Sequence, residues 1–140
     1  MRGAYEILIG IDPGTTTGFA VYDRIREKIV ELESGSLIGI YHGFFLKYTD
    51  LGTVKVRIED ARKRKWYGNR SHAKMQGAGS IKRDSKIWEE ICQYHGVDYE
   101  MIHPIKGATK LDAKTFRNIT RWEGRTNEHQ RDSAMIVYGL

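Results

Sequence analysis

Three carboxylates and one imidazole stand where a side chain can be presented rather than packed: Asp12, Glu59, Asp132 and His129. Asp12 closes the apolar run Ile7-Leu8-Ile9-Gly10-Ile11 and precedes Pro13-Gly14, a bend in which proline lacks a donor and Gly14 and Gly18 accept angles closed to other residues. Glu59 closes Val54-Lys55-Val56-Arg57-Ile58 in the same manner. His129 and Asp132 are three apart in a predicted helix and so share a face. Acids gathered on one sheet edge repel unless a cation lies among them, and hard oxygen donors suit magnesium, with manganese as substitute. The chemistry such a set implies is a two-metal phosphodiesterase centre, where two ions activate a water and stabilise the leaving oxygen of an in-line displacement. His129 would be a ligand or would orient the water.

The elements that must position these groups follow from periodicity. A strand over 7–12 puts Ile7, Ile9 and Ile11 on one face and Leu8, Gly10 and Asp12 on the other. Glu59 shares its face with Lys55 and Arg57, opposite Val54, Val56 and Ile58, so the two acids converge if the strands are neighbours. Phe19 to Tyr22 and Ile29 to Leu32 read as strands joined by a charged turn from Asp23 to Lys28, so three antiparallel strands open the fold. Leu37, Ile40, Tyr41, Phe44, Phe45 and Tyr48 have helical spacing, with Ser34 or Ser36 as N-cap. On another face Gly35, Gly39 and Gly43 predict a close backbone approach to a neighbouring surface. Helical spacing returns through Ala78, Ile81, Trp88, Ile91, Cys92 and His95, with Gly96 as the stop, and Val97 to Ile102 is a fifth strand. After a loop at 106–110, a short helix carries Leu111, Thr115, Ile119 and Trp122, shows Lys114, Arg117 and Arg121 on its other face, and ends at Gly124. A last helix begins at Asn127 and continues into an apolar stretch that must dock on the sheet.

The 140 residues are expected to form one domain, 1–140, without help from disulfides, since Cys92 is a lone cysteine. The absence of a signal-like start or a long apolar run predicts a soluble cytoplasmic protein with no membrane partner. The net charge of +5 is local: between Arg62 and Arg83 lie eight cations, Arg62, Lys63, Arg64, Lys65, Arg70, Lys74, Lys82 and Arg83, and no acid, while the rest of the chain carries 15 basic and 18 acidic residues. Such a block implies a polyanionic partner. Trp66 and Tyr67 sit among the cations, placed to stack on unpaired bases or to anchor the segment in the core, and Gly68, Asn69, Gly77 and Gly79 are expected to keep its backbone loose.

With these residues in place, a resemblance emerges. Ile9-Gly10-Ile11-Asp12-Pro13-Gly14 with Gly18, the strand ending Ile58-Glu59, Gln76-Gly77-Ala78 and His129-Gln130-Arg131-Asp132-Ser133-Ala134 resemble, in order, the RuvC family of Holliday junction resolvases, and among them the compact bacteriophage members. The resemblance implies an α/β ribonuclease H-like fold, a five-stranded mixed sheet flanked by helices and beginning with three antiparallel strands. It implies a magnesium-dependent endonuclease with two ions per site held by Asp12, Glu59, His129 and Asp132, and with Lys106 and Lys114 near the scissile strand. It further implies a homodimer acting on branched DNA, four-way junctions together with forks and flaps, in the cytoplasm of a bacterium or of the host cell. At the place where cellular members carry an aromatic wedge this chain has Arg62.

Three other readings follow from the same residues. Asp12-Pro13-Gly14-Thr15-Thr16 also looks like the phosphate-binding turn of the actin and sugar kinase ATPases, which need two such domains around a nucleotide. A binding module for branched DNA would gain nothing from clustered carboxylates near phosphates. A ribonuclease H acting on RNA in hybrids would use the same acids.

Overall fold

The computed structural model describes residues 5–63, 72–104 and 111–140, with the backbone alone at residue 63 and over 72–78. The opening alternation folds as three antiparallel strands, β1 (Ile7–Asp12), β2 (Thr17–Asp23) and β3 (Lys28–Gly35). Asp23 closes the second turn, its Oδ1 accepting from the amides of Ile25 and Arg26 at 2.9 and 3.0 Å. β4 (Val54–Glu59) lies parallel to β1 on its free side and β5 (Asp98–Ile102) parallel to β4, giving the order β3-β2-β1-β4-β5. β1 is therefore the central strand, and the ends of β1, β4 and β5 open on one edge.

Period-two alternation divides the sheet between two cores. Ile9, Ile11, Val56 and Ile58 face one way, against α1 (Leu37–Ile40) and the turns that continue it and against α2 (His72–His95), whose Trp88 is fully buried beside Phe45. Leu8, Ala20, Tyr22 and Ile102 face the other way, against α3 (Ala113–Thr120) and α4 (Glu128–Met135). Each fully buried large apolar side chain is worth about 1.5 to 3 kcal/mol relative to exposure. None of the described helices is long and apolar enough to cross a membrane.

Several expectations are corrected. The segment after Ser36 is not one α-helix: after α1 it widens to a π-helix over Tyr41–Phe45 and tightens to a 3-10 turn over Leu46–Tyr48, although its apolar face docks as the spacing requires. Gly39 and Gly43 are exposed, and a Cβ on Gly43 would meet nothing within 4 Å, so the close approach is not one made by the sheet of the same chain. Gly77 and Gly79 lie inside α2, which starts at His72, because helix-favouring neighbours such as Ala73, Met75 and Ala78 outweigh the cost of glycine. Gly68 and Asn69 lie outside the described residues. The third helix ends at Thr120, with Arg121 in the left-handed conformation at φ 64°, rather than at Gly124. Its buried residues are Phe116 and Thr120, while Thr115 and Ile119 are exposed, since Leu111 and Trp122 pack from outside the helix and so break the spacing that linked them.

Candidate active site

The parity of the strands decides which face the acids share. Ile11 pairs with Ile58 across the parallel β1–β4 ladder, and continuing that register sets Asp12 beside Glu59, one strand spacing of about 4.8 Å away. Ile9, Ile11, Val56 and Ile58 occupy the α2 face, so Asp12 and Glu59 both belong to the face covered by α3 and α4. Glu59 also pairs with Ile102, which is buried on that α3 and α4 face.

The helix that carries the other two groups is seated there by glycine. Gly18 is the cross-strand partner of Asp12, and Gly10 lies two residues before Asp12 on the same face. A Cβ on Gly18 would run into the carbonyl oxygen of His129 and stand 2.8 Å from its carbonyl carbon; a Cβ on Gly10 would run into the carbonyl oxygen of Ser133. Gly18 is a strand residue without positive φ, so its lack of a side chain matters for the helix above it and not for the bend. Sequence reasoning missed this role, although the shared parity of Gly10 and Asp12 was a signal for it. The start of α4 is set by a capping box: Asn127 Oδ1 accepts from Gln130 N at 2.9 Å, Gln130 Oε1 accepts from Asn127 N at 3.0 Å, and Asn127 Nδ2 donates to Ser34 Oγ at 2.8 Å. Arg131 ties the helix to the preceding loops, donating to the carbonyl of Leu111 at 2.7 Å and to that of Thr126 at 3.0 Å.

The backbone thus gathers the four positions on one face at one edge of the sheet. The side chains are a separate matter. His129 Nε2 lies 3.8 Å from Glu128 Oε1, and one oxygen of Asp132 is shielded from solvent. Asp12, Glu59 and Asp132 each interact with other groups of the protein. Among the described residues no three His, Cys, Asp or Glu side chains are close enough together to hold a metal ion. By donor type, carboxylate oxygens with one imidazole, the set suits a hard divalent ion.

The remaining candidates fall in three groups. Arg64, Lys65, Trp66, Tyr67, Arg70 and Lys106 lie outside the described residues, as do the side chains of Lys63 and Lys74. Lys82 and Arg83 lie on α2, where Arg83 donates to Ser80 Oγ at 3.1 Å, and Lys114 is exposed on α3. Arg62 is exposed yet paired with the protein's own acids, its Nε 2.8 Å from Asp60 and its Nη2 3.0 Å from Glu89, and the Asp60 hydrogen bond above all raises its pKa beyond the usual guanidinium value. A cavity of about 240 Å³ lined by Tyr5, Arg24, Lys55, Arg57 and Glu100 lies toward the opposite end of the strands and does not touch Asp12 or Glu59.

The strand order, the three antiparallel strands followed by two parallel ones, and helices on both faces define the ribonuclease H-like fold. Within that fold the chain is similar to T. thermophilus RuvC, solved in complex with a Holliday junction substrate, with a TM-score of 0.61 and 17% identity over 94% of this chain and 90% of that chain. No family model matches the chain, and no curated protein matches it by sequence.

Proposed function

We propose that this chain is a magnesium-dependent endonuclease that cuts branched DNA, four-way junctions above all, as a homodimer. The observation that carries the reading is the placement of Asp12 and Glu59 at the ends of adjacent parallel strands, on the face where Gly10 and Gly18 admit the helix bearing His129 and Asp132. The likeness in fold to a RuvC solved on a junction supports the substrate class. Asp12, Glu59 and Asp132, with His129, would hold magnesium, which when bound supplies Lewis acidity toward the phosphodiester and lowers the pKa of water. Exposed Lys114, with the cations of the 62–83 window other than Arg62, would bind the phosphate backbone, where neutralised charge and released counterions supply affinity. Bound cations also offset the repulsion between the acidic edge and the substrate.

The test compares four-way junction, linear duplex and RNA–DNA hybrid with and without Mg²⁺ or Mn²⁺. Cleavage of the junction, lost in Asp12→Asn, Glu59→Gln and Asp132→Asn while junction binding persists, is the expected result. Full activity in any one variant removes that residue from the site. Preferential cutting of the hybrid would make the chain a ribonuclease H, and tight ATP binding without cleavage would favour the kinase-like reading.

A further inference from the structure

The turn that leaves β4, directly after Glu59, is held by a side-chain network that the chemistry above does not use. Asp60 is only 4% exposed, and a buried carboxylate is costly unless its oxygens are satisfied. It accepts from the backbone amide of Arg62 at 3.0 Å, from Arg62 Nε at 2.8 Å and from Nη2 at 3.1 Å. The same Nη2 donates to Glu89 Oε1 on α2 at 3.0 Å. The other oxygen of Glu89 accepts from the hydroxyl of Tyr99 on β5 at 3.1 Å, and Tyr99 in turn accepts from Gln93 at 2.8 Å. Beneath this network the fully buried Ser85 lies 3.3 Å from the carbonyl oxygen of Glu59 and accepts from the amide of Ala61 at 3.4 Å. The amide of Asp60 donates to the carbonyl of Ile102 at 2.8 Å. Within three residues of Glu59 the chain is therefore tied to α2 and to β5.

Arg62 opens the basic window, and by sequence it reads as one more cation for a phosphate. Its geometry is otherwise. The planar fork of the guanidinium spans two carboxylates at once through Nε and Nη2, a use that lysine cannot reproduce, although about a third of the side chain stays open to solvent. We propose that Arg62 is a positioning residue: through Asp60 and Glu89 it locks the exit of β4 to α2 and so holds Glu59 at the strand mouth, instead of gripping DNA. This rests on the reading of Asp12 and Glu59 as a nuclease site.

The experiment uses Arg62→Gln, Arg62→Lys and the double variant Asp60→Asn with Arg62→Gln, each beside the wild type. Three quantities are read: junction affinity against salt without activating metal, kcat with its Mg²⁺ dependence at saturating junction, and Mn²⁺ binding to the free protein by calorimetry. Arg62→Gln should keep junction affinity and its salt slope while kcat and Mn²⁺ affinity fall by roughly tenfold or more, the range seen when groups supporting a metal ligand are removed. Arg62→Lys should recover only part of the loss. The double variant removes the buried charge along with its partner, so its melting temperature should return toward wild type while kcat stays low; recovery of both would reduce Arg62 to a structural role and overturn the proposal. A salt slope lowered by about 0.9 with kcat unchanged would mean that Arg62 neutralises a phosphate and would also overturn it. A wild-type chain that neither cleaves nor binds Mn²⁺ defeats the nuclease reading itself, an outcome distinct from an active wild type with an unaffected Arg62→Gln.

Discussion

Replacing Gly18 with alanine adds one methyl group at the tightest approach around the site. Gly18 lies in β2 opposite Asp12, and its missing Cβ points at the backbone of α4, where the carbonyl carbon of His129 would be 2.8 Å away and Ser133 Cβ 3.2 Å. A methyl carbon settles about 3.5 Å from such atoms, and the carbonyl oxygen is nearer still, so helix or strand must retreat by about 1 Å. The obstacle is backbone, which cannot swing aside as a side chain can. Overpacking of this kind costs about 1 to 3 kcal/mol. For a chain of this size that lowers the melting temperature by roughly 4 to 12 °C. A displacement of about 1 Å at a reacting centre costs on the order of 10²-fold in rate, and the displaced helix carries both His129 and Asp132. Thermal melts and junction cleavage by Gly18→Ala should show both losses, with binding retained. Gly79→Ala is the control: it lies in α2 with nothing within 4 Å of the new Cβ and should gain up to about 1 kcal/mol. Wild-type melting and wild-type cleavage in Gly18→Ala would refute the close seating of α4 on the strands.

Other measurements bear on separate parts of the molecule. Asn127→Ala removes the cap of α4 and should cost about 1 kcal/mol, read from denaturant midpoints at unchanged slope. Replacing Lys63, Arg64 and Lys65 with alanine while keeping Arg62 should weaken junction binding and flatten the plot of log affinity against log salt by about 0.9 for each phosphate no longer neutralised. An unchanged slope would make that run solvated surface. Burial pushes the Cys92 thiol from 9.0 up to about 12, so iodoacetamide at pH 8 should label it only after unfolding. As pH rises from 9 toward 12 the unfolded chain ionises this thiol and the folded one does not, so its contribution to stability, intact below 9, is lost across that window.

Period-two patterns made the central strands readable: Ile7–Asp12 and Val54–Glu59 stand where alternation puts them, and the parity that joined Glu59 to Lys55 and Arg57 also assigned the acids to one face. That β4 lies beside β1 was only a condition in the sequence, because strand neighbours are chosen by packing and connection, not by the strand's own residues. The eight residues of α3 were misread for a related reason. Over barely two turns, Leu111, Thr115, Ile119 and Trp122 and the true face of Phe116 and Thr120 are both compatible with helical spacing, and only the partner surface selects between them. The pairing of Arg62 with Asp60 was illegible because a run of cations looks solvated until the carboxylate two residues earlier is seen to be buried.

The motif around Asp12 and the motif around Asp132 turn out to be two halves of one seat. Gly10 and Gly18 flank Asp12 on its own face, and the atoms that their missing side chains admit are the carbonyls of Ser133 and His129, which bracket Asp132 in the helix. Any residue with a Cβ at 10 or 18 would push that helix outward and carry its acid and imidazole away from the strand ends. The glycines are therefore constrained by the seating of the helix that carries His129 and Asp132. A resemblance built from Ile9-Gly10-Ile11-Asp12 and His129-Gln130-Arg131-Asp132-Ser133 has a physical basis in this seat, since residues separated by more than a hundred positions meet there through backbone alone.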